Sequence, residues 1–266
     1  RTASGLLPPS YTTNRDTTKR RDMTRLMSID AHRARYAALS VGKDERTAAF
    51  DMVGGGDYEL VGVIEKFLLD AYAPVPEGGL LVDVGCGPGR LARYLTDRST
   101  LRYVGTDVVP EVLSIARKEC QRPDWSFLDV NEFKIPVDDG AADTVAIFSV
   151  LTNILPEQAY LLVREAFRAL RSGGKFLLTY LDIQCAAHQG TFRDLVEHQN
   201  RRIDPLVFLD RNFLDFFLTD VGFATPQYFT PDQSRIVFPP DTKLLDGRSL
   251  TGTFGLNQAM LVVQKN

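Results

Sequence analysis

The stretch Leu80-Leu81-Val82-Asp83-Val84-Gly85-Cys86-Gly87-Pro88-Gly89-Arg90 constrains this chain most. An apolar run closes on an acid, and three glycines follow at every second position. Leu91, Ala92, Tyr94 and Leu95 then fall at helical spacing. The pattern predicts a strand, a tight glycine turn and a helix. Glycine suits places where backbone turns sharply or meets a ligand, because a side chain would clash there. The backbone is therefore expected to touch a small molecule at the carboxyl end of a strand.

Two phosphate-binding loops do not fit. A dinucleotide loop needs glycine three residues after Gly87, where Arg90 stands, and no Gly-Lys-Ser/Thr follows. Three more strand signals come next. Residues 101–107 (LRYVGTD) end on Asp107, 18 residues beyond Gly89. A carboxylate there either accepts both hydroxyls of a ribose or caps the helix opened by Pro110, and the distance from the loop favours ribose. Residues 125–130 (WSFLDV) end on Asp129 and Val130. Residues 143–151 (DTVAIFSVL) form a near-continuous apolar run, as expected of a strand buried on both faces of a parallel sheet, with Phe148 and Ser149 at its carboxyl end. Phe148 suits either a ligand contact or the core.

The series Asp83-x-Gly85-x-Gly87-x-Gly89 resembles the first motif of the class I S-adenosylmethionine-dependent methyltransferases. The likeness covers most of residues 55–266, and it is specific for the cofactor and loose for the acceptor. It implies a doubly wound, mostly parallel seven-stranded α/β sheet of Rossmann-like type, with a helical N-terminal cap and an insertion after the fifth strand. It implies S-adenosylmethionine as cofactor and S-adenosylhomocysteine as product. Asp83, Gly85, Cys86, Gly87, Gly89, Asp107, Val108, Asp129, Val130, Phe148 and Ser149 are the positions it assigns to the cofactor. Asp129 is expected to accept the adenine amino proton while Val130 offers its backbone N–H to a ring nitrogen. Charge agrees: Asp83, Asp107 and Asp129 would repel a pyrophosphate and suit a cationic sulfonium.

The 266 residues, 44% of them hydrophobic, suffice for one large domain with an appended cap. Residues 1–25 read as a flexible basic arm, 26–78 as the helical cap, and 79–266 as the methyltransferase domain with a lid-like insertion at 182–209. In the cap, a helix is expected over 28–40 and another through Leu60, Val61, Ile64, Phe67, Leu68 and Ala71. Gly173-Gly174 is expected to stop a helix opened by Pro156, and Lys175 begins the fifth strand. Asn212 to Val221 reads as a helix with Phe213, Leu214 and Phe217 inward. Gln227 to Phe238 and Ala259 to Val263 read as the closing strands.

A net charge of −3 argues against a nucleic-acid groove. Cys86, Cys120 and Cys185 have neither metal-ligand nor disulfide spacing, so no metal is expected and a reducing, cytoplasmic setting is. No apolar run approaches a membrane span. Methyl transfer is an in-line displacement that needs alignment, and an alcohol or phenol acceptor also benefits from a base. His188, Asn153 and His32 are the catalytic candidates, with Tyr180 and Asp182 behind them, while His198 is expected to face solvent. For His188 a surface or helix-capping role remains open. The expected reaction is methylation of a small organic acceptor, oxygen favoured over nitrogen. The alternatives are a protein or RNA methyltransferase, supported by the basic arm alone, and a non-catalytic cofactor-binding subunit.

Overall fold

The computed structural model describes residues 29–52, 57–198 and 206–266. The basic arm, the Gly54-Gly55-Gly56 break and residues 199–205 of the expected insertion lie outside them.

Helices α1 (Ile29–Leu39), α2 (Glu45–Met52) and α3 (Tyr58–Tyr72) precede the sheet. The chain then alternates through β1 (Leu80–Val84), β2 (Arg102–Asp107), α4 (Pro110–Cys120), β3 (Ser126–Asp129), β4 (Ala142–Ile147), α5 (Pro156–Ala169) and β5 (Leu170–Asp182). Next come α6 (Ala186–Glu197), β6 (Phe208–Leu209), α7 (Arg211–Val221), β7 (Gln227–Phe229), β8 (Ile236–Lys243), β9 (Ser249–Phe254) and β10 (Ala259–Gln264).

Seven strands lie in the order β3-β2-β1-β4-β5-β10-β7, and the two-residue β6 pairs with the end of β5. Strands β1 to β5 are parallel, and β10 runs antiparallel to both its neighbours. Every residue of β1 is buried, which is why its sequence is continuously apolar rather than alternating. Its two faces feed two cores. Val82, Val145, Ile147 and Leu178 meet α5 and α7, while Leu81, Ala146 and Leu177 meet α3. Tyr36, Ala48 and Ala49 of the cap pack on Val109, Val112 and Ile115, so the cap sits on α4. The strand order reverses between β1 and β4, and a crevice opens at the carboxyl ends of such a pair.

Several elements depart from expectation. The helix after the glycine loop is one 3₁₀ turn, Ala92–Leu95, because the chain folds back by Leu101 to enter β2. Helix α5 ends at Ala169, and Gly173-Gly174 instead lie within β5, where the register with β4 shifts between Ala142 and Thr144. On α3, Leu69 is buried and Ala71 exposed, so the inward face is turned from the expected one. Phe213 is half exposed on α7. The expected strand from Gln227 to Phe238 is two strands, because Thr230 to Ser234 turn between them. Strand β8 pairs with β9 in a separate hairpin, which packs Phe238 on Phe67 of α3 at 4.8 Å.

Candidate functional site

The glycine loop is bolted to the tip of β2. The N–H groups of Gly85 and Cys86 both donate to the Thr106 carbonyl (2.8 and 2.9 Å), and that of Gly87 donates to Asp107 Oδ2 at 3.0 Å. Asp107 Oδ1 accepts the Val109 N–H at 3.0 Å. The N-cap of α4 is Val109, with no side-chain cap bond, so Asp107 ties the turn before the helix rather than capping the helix, and the carboxylate keeps lone pairs for a ligand. Gly85 has φ +74°, and a Cβ there would lie 2.3 Å from Val150 Cγ2, so no side chain fits.

A cavity lies over this loop at the β1/β4 switch. Gly85, Gly87, Thr106, Asp107, Val108, Val130, Phe148, Ser149 and Asn153 line it, and His32 and Arg35 enter from α1. Thr106 is fully buried, and among the described residues its Oγ1 has no hydrogen-bond partner. An orphaned hydroxyl beside Asp107, over a loop that admits no side chain, fits a ribosyl ligand rich in hydroxyls. Sequence reasoning missed Thr106, which reads as an ordinary strand residue.

Other expected contacts lie elsewhere. Asp83 is buried behind the loop and accepts the Tyr103 hydroxyl at 2.7 Å, and burial pushes its carboxyl up to about 7. With Cys86, Glu65 and Arg90 it borders a small adjoining void rather than the main cavity. Gly89 faces α4, where a Cβ would sit 3.2 Å from Ala116 and Cys120, so it serves packing. Asp129 is exposed and borders an outer groove with Arg33 and Asn131. The Val130 N–H is spent on the Asp107 carbonyl at 3.0 Å, because it closes the β2–β3 ladder just past the Asp107–Asp129 pair. It is therefore not offered to an adenine ring. Of the three acids expected around a sulfonium, only Asp107 reaches the cavity wall.

The strand-end turn after β4 is tightly tied. Ser149 has φ +61°, its N–H donates to Thr179 Oγ1 at 2.8 Å, and its hydroxyl is bonded to Gln258. Asn153 Nδ2 donates to the Ser149 carbonyl at 3.0 Å and to Thr152 Oγ1 at 2.8 Å. Beneath the loop, Glu65 of α3 holds Arg90 through both guanidinium Nε and Nη2.

His188 is not a base at this site. It is buried away from the cavity; Nδ1 accepts the Asp182 N–H at 2.9 Å and Nε2 faces the Asn257 carbonyl at 3.0 Å. Asp182 is likewise committed, accepting from Arg211 Nε and the Gln184 N–H. Tyr180 is fully buried against Asp182. His198 is half exposed and bonded to Asp194 within its own helix. Of the expected catalytic residues, His32 and Asn153 share the cavity.

Residues 82–178 match the family described as a methyltransferase domain. A trans-aconitate 2-methyltransferase of Azoarcus sp. (strain BH72) is 35% identical over 107 residues, 39% of this chain and 40% of that protein. A demethylmenaquinone methyltransferase of Tropheryma whipplei (strain Twist) is 27% identical over 129 residues, 46% of this chain and 53% of that protein. The matches thus span about half or less of these relatives. The fold resembles the crystal structure of magnesium protoporphyrin IX methyltransferase from Synechocystis PCC 6803 with bound S-adenosylhomocysteine, with a TM-score of 0.54, 15% identity, and 88% and 98% of the two chains covered. Its glycine loop, its strand order and the match over residues 82–178 make the chain similar to the S-adenosylmethionine-dependent methyltransferases, whose Rossmann-like fold it shares.

Proposed function

We propose that this protein transfers a methyl group from S-adenosylmethionine to a small organic acceptor, on oxygen in preference to nitrogen. The observation that carries the reading is the cavity at the β1/β4 switch, roofed by α1 and bordered by Met52 of α2. A roofed cavity suits a small molecule better than the open surface a macromolecule needs. When bound, the cofactor supplies an electrophilic methyl group on a sulfonium. Gly85 and Gly87 leave room for its backbone-facing edge, Thr106 and Asp107 offer hydroxyl and carboxylate to its ribose, and Val108, Val130 and Phe148 give the apolar walls of the adenine end. The cap 26–78 and the domain 79–266 would act as one unit, since Arg33 of α1 donates to the Val108 carbonyl at 2.7 Å. The three free cysteines suit a cytoplasmic setting.

Methyl-labelled S-adenosylmethionine, incubated with the protein and a cell extract split into small-molecule, protein and RNA fractions, tests this. Label is expected among small molecules and lost on Asp107→Ala. Label in protein or RNA would overturn the acceptor class.

A further inference from the structure

We propose that Asn153 holds its side-chain carbonyl in the cavity wall as a fixed hydrogen-bond acceptor, and that it orients a substrate whose methylated group is a hydroxyl. This rests on the methyl-transfer reading above and narrows it.

The amide of Asn153 can face only one way. It meets the Ser149 carbonyl at 3.0 Å and Thr152 Oγ1 at 2.8 Å. A carbonyl has no hydrogen to give, and the Thr152 hydroxyl spends its own on that same carbonyl at 2.7 Å. Both oxygens therefore need a donor, and Nδ2 gives one hydrogen to each. Turning the amide over would set oxygen against oxygen. Oδ1 is left with no donor among the described residues. Asn153 is half-buried and borders the cavity, where a ligand meets it.

The turn that carries Asn153 is held from several sides. Ser149 sits at φ +61°, a left-handed conformation that persists outside glycine where the surroundings enforce it. Its N–H donates to Thr179 Oγ1 on β5 at 2.8 Å, and its hydroxyl accepts from Nε2 of Gln258, the residue just before β10, at 3.0 Å. Val150 packs on Gly85, so the same turn touches the glycine loop. With the Ser149 and Thr152 hydroxyls engaged, Asn153 Oδ1 is the polar side-chain atom this turn has left for a ligand.

A carbonyl oxygen selects what it meets. It accepts from a hydroxyl and repels the oxygens of an ionised carboxylate. An aliphatic amine, with a pKa of about 10, is protonated at neutral pH and has no lone pair to offer. Ile29, Met52, Ile154 and Leu162 give apolar walls for the body of an alcohol or phenol. A hydroxyl that donates its single hydrogen to Oδ1 turns its lone pairs to the other side, and in-line displacement needs one of them aimed at the methyl carbon. The hydroxyl oxygen attacks that carbon, the new C–O bond forms as the C–S bond breaks, and the bonding pair stays on sulfur. As the oxygen grows positive its proton leaves to His32, which borders the same cavity from α1, an imidazole being a proton acceptor near neutral pH. The products are a methyl ether, a neutral thioether and an imidazolium.

The full chain with methyl-labelled S-adenosylmethionine is offered phenol, benzyl alcohol, benzoate and benzylamine, and separately the small-molecule fraction of a cell extract. Mild base frees labelled methanol from methyl esters. Boiling hydriodic acid then frees labelled methyl iodide from methyl ethers, while methyl groups on nitrogen or carbon survive both. Label released by the acid and not by base supports the proposal. Label released by base, or surviving both treatments, overturns it and leaves methyl transfer standing. No label anywhere, with S-adenosylhomocysteine bound in calorimetry, also overturns it, and absence of that binding would overturn the methyl-transfer reading itself. Asn153→Leu should lower kcat/KM for the hydroxyl substrate about tenfold or more, while S-adenosylhomocysteine affinity stays within about twofold. Gln258 is a positioning residue and gives a second variant. Gln258→Leu should lower kcat several-fold with KM little changed, and Gln258→Glu, which still accepts from the Ser149 hydroxyl, should recover most of it. A parallel loss of S-adenosylhomocysteine affinity in Asn153→Leu would mean that the residue only holds the turn against Gly85. An unchanged kcat/KM would show that Oδ1 meets no substrate.

Discussion

His188 and Asn257 join two parts of the chain 69 residues apart, the imidazole Nε2 facing the Asn257 carbonyl at 3.0 Å. The other ring nitrogen accepts the Asp182 N–H, which places the ring proton on Nε2 and makes it the donor. The ring therefore braces the end of β5 against the loop that leads into β10. Truncation would strand the buried Asp182 N–H and free the Asn257 carbonyl at its edge. His188→Ala should cost about 2 kcal/mol of stability. Turnover per folded molecule should stay near wild type below the melting temperature, with no inflection removed from the pH–rate profile. Unchanged melting with abolished turnover would mean that the histidine is chemical after all.

Gly85 tests the cradle. Its φ of +74° and the 2.3 Å separation of a would-be Cβ from Val150 Cγ2 leave no room for alanine. Gly85→Ala should shift the loop and weaken S-adenosylhomocysteine binding by at least about tenfold, read by calorimetry. Gly85→Ala with Val150→Ala removes the clash but not the backbone strain, so recovery should be partial. Full wild-type affinity in the single variant would show that the loop does not touch the cofactor.

Asp83 makes stability fall as pH rises. Its carboxyl is buried against Tyr103, and burial moves it from the usual carboxylate range up to about 7. Between pH ~4 and ~7 the folded protein holds a proton that the unfolded chain has released, so ionisation favours unfolding across that window. The contribution is complete below pH ~4 and lost by the time pH has passed through about 7, with a slope of at most about 1.4 kcal/mol per unit. Urea titrations at pH 5, 6 and 7.5 should show this decline, and Asp83→Asn should flatten it. Equal slopes in both proteins would place the ionisation elsewhere.

What was legible in the chain was local. A strand that ends on glycines, then another that ends on Asp107, is written in consecutive residues, and the loop and its carboxylate tie follow from it. The buried role of Asp83 was not legible, because it depends on Tyr103 reaching across from the neighbouring strand. The commitment of the Val130 N–H depends on where the β2–β3 ladder stops, which no single strand encodes. That His32 and Arg35 would border the cavity was not legible, because a short helix such as α1 does not announce which face will meet the sheet. The β8–β9 hairpin did carry a signal, the Asp246-Gly247 pair with Gly247 at φ +87°. It was hidden because the flanking strands bury few residues and lack a clean alternation.

Arg33 ties the cap to the cofactor end of the sheet. Its Nε donates to the Val108 carbonyl at 2.7 Å and its Nη2 to Asn131 Oδ1 at 2.6 Å, so one side chain of α1 reaches the tips of both β2 and β3. Tyr36, on the same helix, is buried against α4 and keeps the helix docked without that strap. Arg33→Ala should therefore leave the fold intact, costing about 1 kcal/mol, and loosen the roof locally. Amide hydrogen exchange should speed up across residues 29–39, and S-adenosylhomocysteine should dissociate several-fold faster with a smaller change in its association rate. Because cofactor exchange and roof opening would then share one latch, the two rates should change by the same factor in Arg33→Ala and in Asn131→Ala. Faster exchange with an unchanged dissociation rate would show that the cofactor leaves without the roof lifting.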